Sequence, residues 1–169
     1  MSSRRRPHTV AARSRSQAGY TFVEVIVVAA ILAILASTVL PLVQVTTQRQ
    51  REVELRRNLR SLREAIDRFK DAVDAGAIPQ TELKPDNEGY PPDLETLVEG
   101  VTVAGDATGR KLRFGLRRIP IDPMTNSTDW GLRSYQDRPD ASSWGRQNVF
   151  DVYTKSEATA LDGTKYKDW

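Results

Sequence analysis

In the stretch Gly19-Tyr20-Thr21-Phe22-Val23-Glu24 a carboxylate stands at the head of a run that is otherwise almost wholly apolar as far as Val43. A charge at membrane depth costs about 2.5–3.5 kcal/mol even on insertion scales, and such groups usually have a partner. Here a partner can be made by proteolysis. A cut between Gly19 and Tyr20 would give Tyr20 a new α-ammonium. Glu24 would then lie four residues on, on the same helical face and ~6 Å along the axis. Either the two charges neutralise each other within one chain, or the carboxylate meets the amine of the next subunit. In the second case Glu24 is a register device for assembly, as a single buried polar group can be.

Other chemistries are thinly provided for. The chain has no cysteine, and its one histidine, His8, lies in the basic N-terminal stretch. Disulfides, thiol nucleophiles, Cys-ligated zinc and most nucleophile–base pairs are thereby excluded. No carboxylates are paired in a recognisable catalytic setting, so no enzyme is expected. The Gly105–Lys111 segment has the wrong spacing for a phosphate loop and no strand leading into it, and it reads as a turn. Ser156, Glu157, Thr159, Asp162 and Asp168 offer oxygen donors, with Gly163 supplying a turn. Calcium takes six to eight such oxygens, but Lys155, Lys165 and Lys167 dilute the charge. A calcium loop and a solvated, hydrogen-bonded tail both remain open.

The elements that would position Glu24 are legible. From Val25 to Val43 only Ser37 and Thr38 are polar, which gives about 28 Å of helix, close to the hydrocarbon thickness of a bilayer. Residues 1–19 carry five arginines and no acid; without them the chain has 20 basic against 22 acidic residues. The basic balance therefore belongs to the leader, and no nucleic-acid partner is expected. Arginines before the span predict an N-terminus inside and a C-terminus outside. A secretory signal peptide competes, but its apolar region is shorter and ends in a small-residue site. A plain anchor gives no reason for Glu24.

Beyond Pro41, Leu55, Leu59, Leu62, Ile66, Phe69 and Val73 recur at steps of four and three, the stripe of an amphipathic helix on which a C-terminal domain would dock. Between them lie Arg56, Arg57, Arg60, Arg63, Glu64, Asp67, Arg68 and Lys70, a solvated face or a subunit contact, with Arg60–Glu64 and Glu64–Arg68 at pairing distance. Gly76 supplies a stop. Breakers fill 77–92. A short helix follows at Asp93–Val98, with Asp93 as cap and Gly100 as stop. A loop or hairpin covers 100–111. Strands are expected near Leu112–Leu116, at Leu132–Gln136 and at Val149–Thr154, the last alternating Val149, Asp151, Tyr153 against Phe150, Val152. Trp130 and Tyr135 read as core residues. The plan is α+β: a long N-terminal helix, half transmembrane and half amphipathic, packed on a small antiparallel sheet.

Gly19 through Glu24, after a basic leader and before an apolar run, resembles the class III signal of type IV pilins and pseudopilins. Tyr20 departs from the usual Phe there. The stretches GYPPDLETLVEG (89–100), RRIPIDPMTNSTDWGLRSYQD (117–137) and NVFDVYTKSEATALDGTKYKDW (148–169) are similar to the C-terminal domain of major pseudopilins of type II secretion systems. The resemblance implies a pilin-like fold in four parts: a cleaved leader at 1–19, a transmembrane assembly helix at 20–43, an amphipathic helix at 44–76 and a periplasmic domain at 77–169. It implies that a prepilin peptidase cuts after Gly19 and N-methylates Tyr20, and that Thr21, Glu24 and the helix-loosening Pro41 serve assembly. It implies no required cofactor, although major pseudopilins commonly hold calcium, for which Glu157, Thr159, Asp162 and Asp168 are the candidates. The implied partners are further copies in a helical homopolymer, the peptidase, minor pseudopilins, the inner-membrane assembly platform and cytoplasmic-membrane lipid. The implied place is a single pass in the inner membrane and a periplasmic filament that drives protein export. A type IV pilin of a surface filament, for adhesion, motility or DNA uptake, is the alternative. A membrane-anchored enzyme or solute-binding domain is disfavoured by the absence of cofactor motifs.

Overall fold

The structure, a computed structural model, describes residues 20–79, 83, 87–106 and 108–169, and within the first helix the side chains of 38–42 also lie outside the description. The leader, Gly19 included, lies outside the described residues. The chain divides into two compact units, Met1–Leu42 and Val43–Trp169.

Helix α1 runs from Phe22 to Asp74 and its assignment is continuous through Pro41, whose side chain lies outside the described residues. Over residues 22–37 its side chains are exposed on every face, with Phe22 80%, Val25 55%, Ile31 53% and Ile34 67% accessible. A helix apolar all round has no core of its own to face; it is built to be covered by lipid or by other chains. Ser37 is tolerated in it because its hydroxyl donates to the Ile34 carbonyl at 2.7 Å. Among the described residues no helix is long and apolar enough to cross a membrane. The nineteen-residue run read from the sequence lies partly outside them, since its side chains are described only to Ser37 and again at Val43.

In the second unit the amphipathic stripe does what its spacing implies. Leu55, Leu59, Leu62, Ile66 and Phe69 are at most 2% exposed, and they share one core with Leu97, Phe114, Trp130, Val149, Val152 and Tyr166. Of the expected pairs on the opposite face, Glu64–Arg68 forms at 3.6 Å.

Helix α2 spans Leu94–Glu99, capped as expected by Asp93, whose carboxylate accepts the Thr96 N–H at 2.8 Å. It ends at Gly100, where φ is +76° and an added Cβ would stand 2.5 Å from the Leu112 carbonyl oxygen. Only glycine satisfies both demands.

The strands are shorter than the pattern suggests, and they form two separate antiparallel pairs where one small sheet was expected. Strand β1 (Val101–Thr102) pairs with β2 (Lys111–Leu112), and β3 (Gly131–Arg133) with β4 (Asp151–Tyr153). The reason is that the donors flanking β3 and β4 find acceptors outside the ladder. Beyond Arg133, the Ser134 N–H goes to the Asp137 carboxylate at 2.7 Å and the Tyr135 N–H to the Asn148 side chain at 2.9 Å. The chain turns there, so Tyr135 is not a core residue: it is 56% exposed and stacks on Tyr90. Before β4, the Val149 N–H goes to the Pro91 carbonyl at 2.8 Å. The expected alternation slips there: Val149 and Val152 are both fully buried, with Phe150 left 43% exposed.

Candidate functional site

The first turn of α1 carries the residues on which assembly chemistry was expected. Thr21 is its cap: the Thr21 hydroxyl accepts the Glu24 N–H at 3.2 Å, and the Thr21 carbonyl accepts the Val25 N–H at 3.2 Å. Threonine followed three residues later by glutamate is the capping-box spacing, so Thr21 has a local structural role that its place in a motif conceals. The Glu24 carboxylate, an acid in the first turn of the helix, has the sign that the N-terminal end of the macrodipole favours. No hydrogen bond or ion pair engages it among the described residues. Tyr20 is 82% exposed. The unit therefore offers an accessible residue 20 and a carboxylate four residues on, at the head of an apolar helix. Gly19, on the other side of the expected cut, lies outside the described residues.

The second constellation was not anticipated. Four polar side chains of α1 hold the C-terminal segment. Gln48 donates to the Thr159 carbonyl at 3.2 Å and to the Tyr166 hydroxyl at 2.9 Å. Glu52 accepts from that same hydroxyl at 2.8 Å and from the Leu161 N–H at 2.9 Å. The Arg56 guanidinium lies 4.1 Å over the Trp169 ring and 3.5 Å from Asp162. Arg63 reaches Asp151 at 2.7 Å, the Val152 carbonyl at 3.1 Å and the Trp169 carbonyl at 2.8 Å. A short 3₁₀ turn, Tyr166–Asp168, presents the Tyr166 ring, which meets Trp169 edge-on at 5.1 Å. Burial pushes the Tyr166 hydroxyl's pKa up, Gln48 opposing the shift and Glu52 adding to it. The sequence signal was available: Gln48, Glu52, Arg56 and Arg63 recur at steps of four and seven beside the apolar stripe. Nothing in the sequence named their partners.

The calcium candidates are not gathered into one ligand set. Glu157 pairs with Lys167 at 3.0 Å. The Asp162 carboxylate accepts the Thr164 hydroxyl at 2.6 Å and its N–H at 2.9 Å, and is held below the ordinary carboxylate range chiefly by that hydroxyl. Thr159 bridges to Lys165 through the backbone, and its carbonyl is taken by Gln48. Asp168 is exposed and opens onto the groove that also holds Glu157, Lys155 and Lys167. Among the described residues no three acidic side chains stand close enough to hold a metal ion. With Glu157 turned to Lys167, Asp162 to Thr164 and Arg56, and the Thr159 carbonyl to Gln48, only the Asp168 carboxylate is left without a partner among the described residues, and the four do not fit a calcium ion as one ligand set.

Elsewhere, among the described residues, no buried polar side-chain atom lacks a hydrogen-bond partner. Asp122, fully buried, accepts from the Met124 N–H and from the Thr125 and Thr154 hydroxyls, fixing the proline-bounded loop. The indole N–H of Trp130 donates to the Pro120 carbonyl at 2.9 Å. Asp106 caps its own turn through Thr108, in agreement with the turn reading of Gly105–Lys111.

Comparison with known proteins adds to this geometry. Residues 14–40 match the family described as the prokaryotic N-terminal methylation motif. The chain is 30% identical over 114 residues to a type II secretion system core protein G of Aeromonas hydrophila, covering 68% of this chain and 72% of that one. It is 29% identical over 112 residues to the protein of the same name from Pseudomonas aeruginosa, covering 66% and 71%. No solved structure matches.

Proposed function

The chain belongs to the family of the type II secretion system core protein G, the major pseudopilins, and we infer that it is the repeating subunit of a pseudopilus that drives protein export across the outer membrane. Both curated relatives carry the secretion name, which favours this reading over a surface pilus. The precursor is held in the inner membrane by α1, with its C-terminal domain in the periplasm. A prepilin peptidase cuts after Gly19 and methylates Tyr20. The exposed apolar half of α1 then leaves lipid by packing on the same half of other copies, which keeps its apolar area covered throughout. Glu24 sets where each incoming copy stops, by pairing with the amine of residue 20 on its neighbour. Minor pseudopilins and an inner-membrane platform complete the machine, and the subunit itself catalyses nothing.

The single observation that carries this is the unengaged Glu24 carboxylate, four residues beyond an accessible Tyr20 at the capped head of an all-round apolar helix. On this reading the C-terminal segment is held without a metal, by α1 side chains at the Thr159 carbonyl, the Leu161 N–H, the Tyr166 hydroxyl and the Trp169 carbonyl. Glu24→Val tests the mechanism. The variant should insert, and intact mass should show trimming to residue 20, yet filaments and secretion should be lost. Wild-type filament yield from it would refute the pairing.

A further inference from the structure

The exposed face of α1 beyond the membrane half is sorted by charge along its length. From Arg49 to Arg60 the exposed charged side chains are Arg49, Arg51, Arg56, Arg57 and Arg60 against one exposed acid, Glu54. From Glu64 to Asp74 they are Glu64, Asp67, Asp71 and Asp74 against one base, Arg68. At ~100° per residue, Arg49, Arg56, Arg57 and Arg60, followed by Glu64, Asp67, Asp71 and Asp74, fall within one face roughly 100° wide. Glu64 pairs with Arg68, Asp74 with Lys70 and Arg56 with Asp162, but the other charges of this face are sorted along its length rather than alternating in sign at four-residue steps. Among the described residues no ion pair involves Arg49, Arg51, Arg57, Arg60, Asp67 or Asp71. The basic half also exposes apolar surface, Val53 at 65% and Leu161 at 41%, in a groove flanked by Arg49, Arg56 and Asp162.

We propose that this face is a contact between copies of the chain, in which the basic half of α1 of one copy lies beside the acidic half of α1 of the next. The inference rests on the assembly reading above and adds to it the surface that sets the axial stagger of the periplasmic domains. Parallel copies in one polymer present the same face at different heights. Level copies would set arginine against arginine. A stagger that brings the two halves together matches the distance between their centres, about 13 residues or ~20 Å of helix. The partner is thus another copy of this chain: its own acids stand one stagger away from its own arginines, on the same face. Each exposed pair contributes little by itself, but the contact repeats at every subunit and selects one stagger over its neighbours by repulsion.

Charge reversal tests it in secreting cells. Arg57→Glu with Arg60→Glu, and separately Asp67→Lys with Asp71→Lys, should leave trimming and the melting temperature of the detergent-solubilised full chain unchanged, but lower filament yield tenfold or more. The chain carrying all four changes should recover filaments, and the two half-reversed chains produced together should co-assemble. Wild-type yield from either half-reversed chain, or no recovery in the fourfold chain, overturns the proposal. If the unaltered chain itself forms no filament in these cells, it is the assembly reading that fails.

Discussion

Replacing Glu52 by alanine should weaken the Val43–Trp169 unit by about 2 kcal/mol, a figure that follows from what the carboxylate holds. Its Oε1 accepts the Tyr166 hydroxyl at 2.8 Å and the Leu161 N–H at 2.9 Å. A hydrogen bond to a charged group contributes roughly 1.5–3 kcal/mol, whereas a donor that water can reach recovers most of its loss. The bond to Leu161, at the surface, belongs to the second case. Tyr166, 2% exposed, belongs to the first: it keeps Gln48 as a donor at 2.9 Å but loses the acceptor for its own proton. For a unit of this size 2 kcal/mol corresponds to a fall of about 6–10 °C in Tm. The assay is thermal melting of the full chain in detergent, followed by tryptophan fluorescence, with Trp169 reporting on the clasp. Glu52→Gln keeps a neutral acceptor and should cost about half as much. Tyr166→Phe should cost about 1–2 kcal/mol, and the double variant should be less than additive, because both changes delete the same bond. A Tm within ~2 °C of wild type for Glu52→Ala, or strict additivity in the double variant, would refute the assignment of the C-terminal segment to this clasp.

Three further outcomes are expected. The Gly145 and Ser134 N–H groups hold the Asp137 carboxyl below the ordinary range, so its contribution is present above the unfolded pKa near 3.9 and lost as pH falls through the lower folded value; acid melts of Asp137→Asn should show a flatter dependence there. Burial raises the Tyr166 pKa, so that contribution is intact below about pH 10, the unfolded value, and disappears as pH climbs toward the higher folded one; alkaline melts of Tyr166→Phe should lack this loss. Millimolar calcium or a chelator should leave the wild-type Tm unchanged to within ~1 °C, since binding to the native state raises Tm in proportion to RT ln(1 + [L]/Kd); a calcium-dependent rise of several degrees would restore the metal loop.

The legible parts of this fold are those written at short range. The stripe from Leu55 to Phe69 and the Asp93 and Gly100 caps of α2 each depend on residues within a few positions of one another, and each stands in the structure where the spacing put it. The strands were less legible. Their β-branched and aromatic residues were identified, but Ser134 and Tyr135 give their N–H groups to Asp137 and Asn148, and no local pattern says that side chains will outbid a neighbouring strand. Tyr135 was misread for that reason.

The site divides along the same line. What the sequence by itself determined is local: Thr21 as the cap, Glu24 three residues on and the apolar run behind it are successive in the chain, so helix geometry alone relates them, and the expected cut before Tyr20 rests on the resemblance of that same short stretch. Only the tertiary structure decided how the C-terminal segment is held. Gln48 finds Tyr166 across 118 positions and Glu52 finds it across 114, and Glu157 and Asp162 turn to Lys167 and Arg56. A polar side chain's partner at that separation is selected by the closing of the core around it, when every buried donor and acceptor must be matched at once.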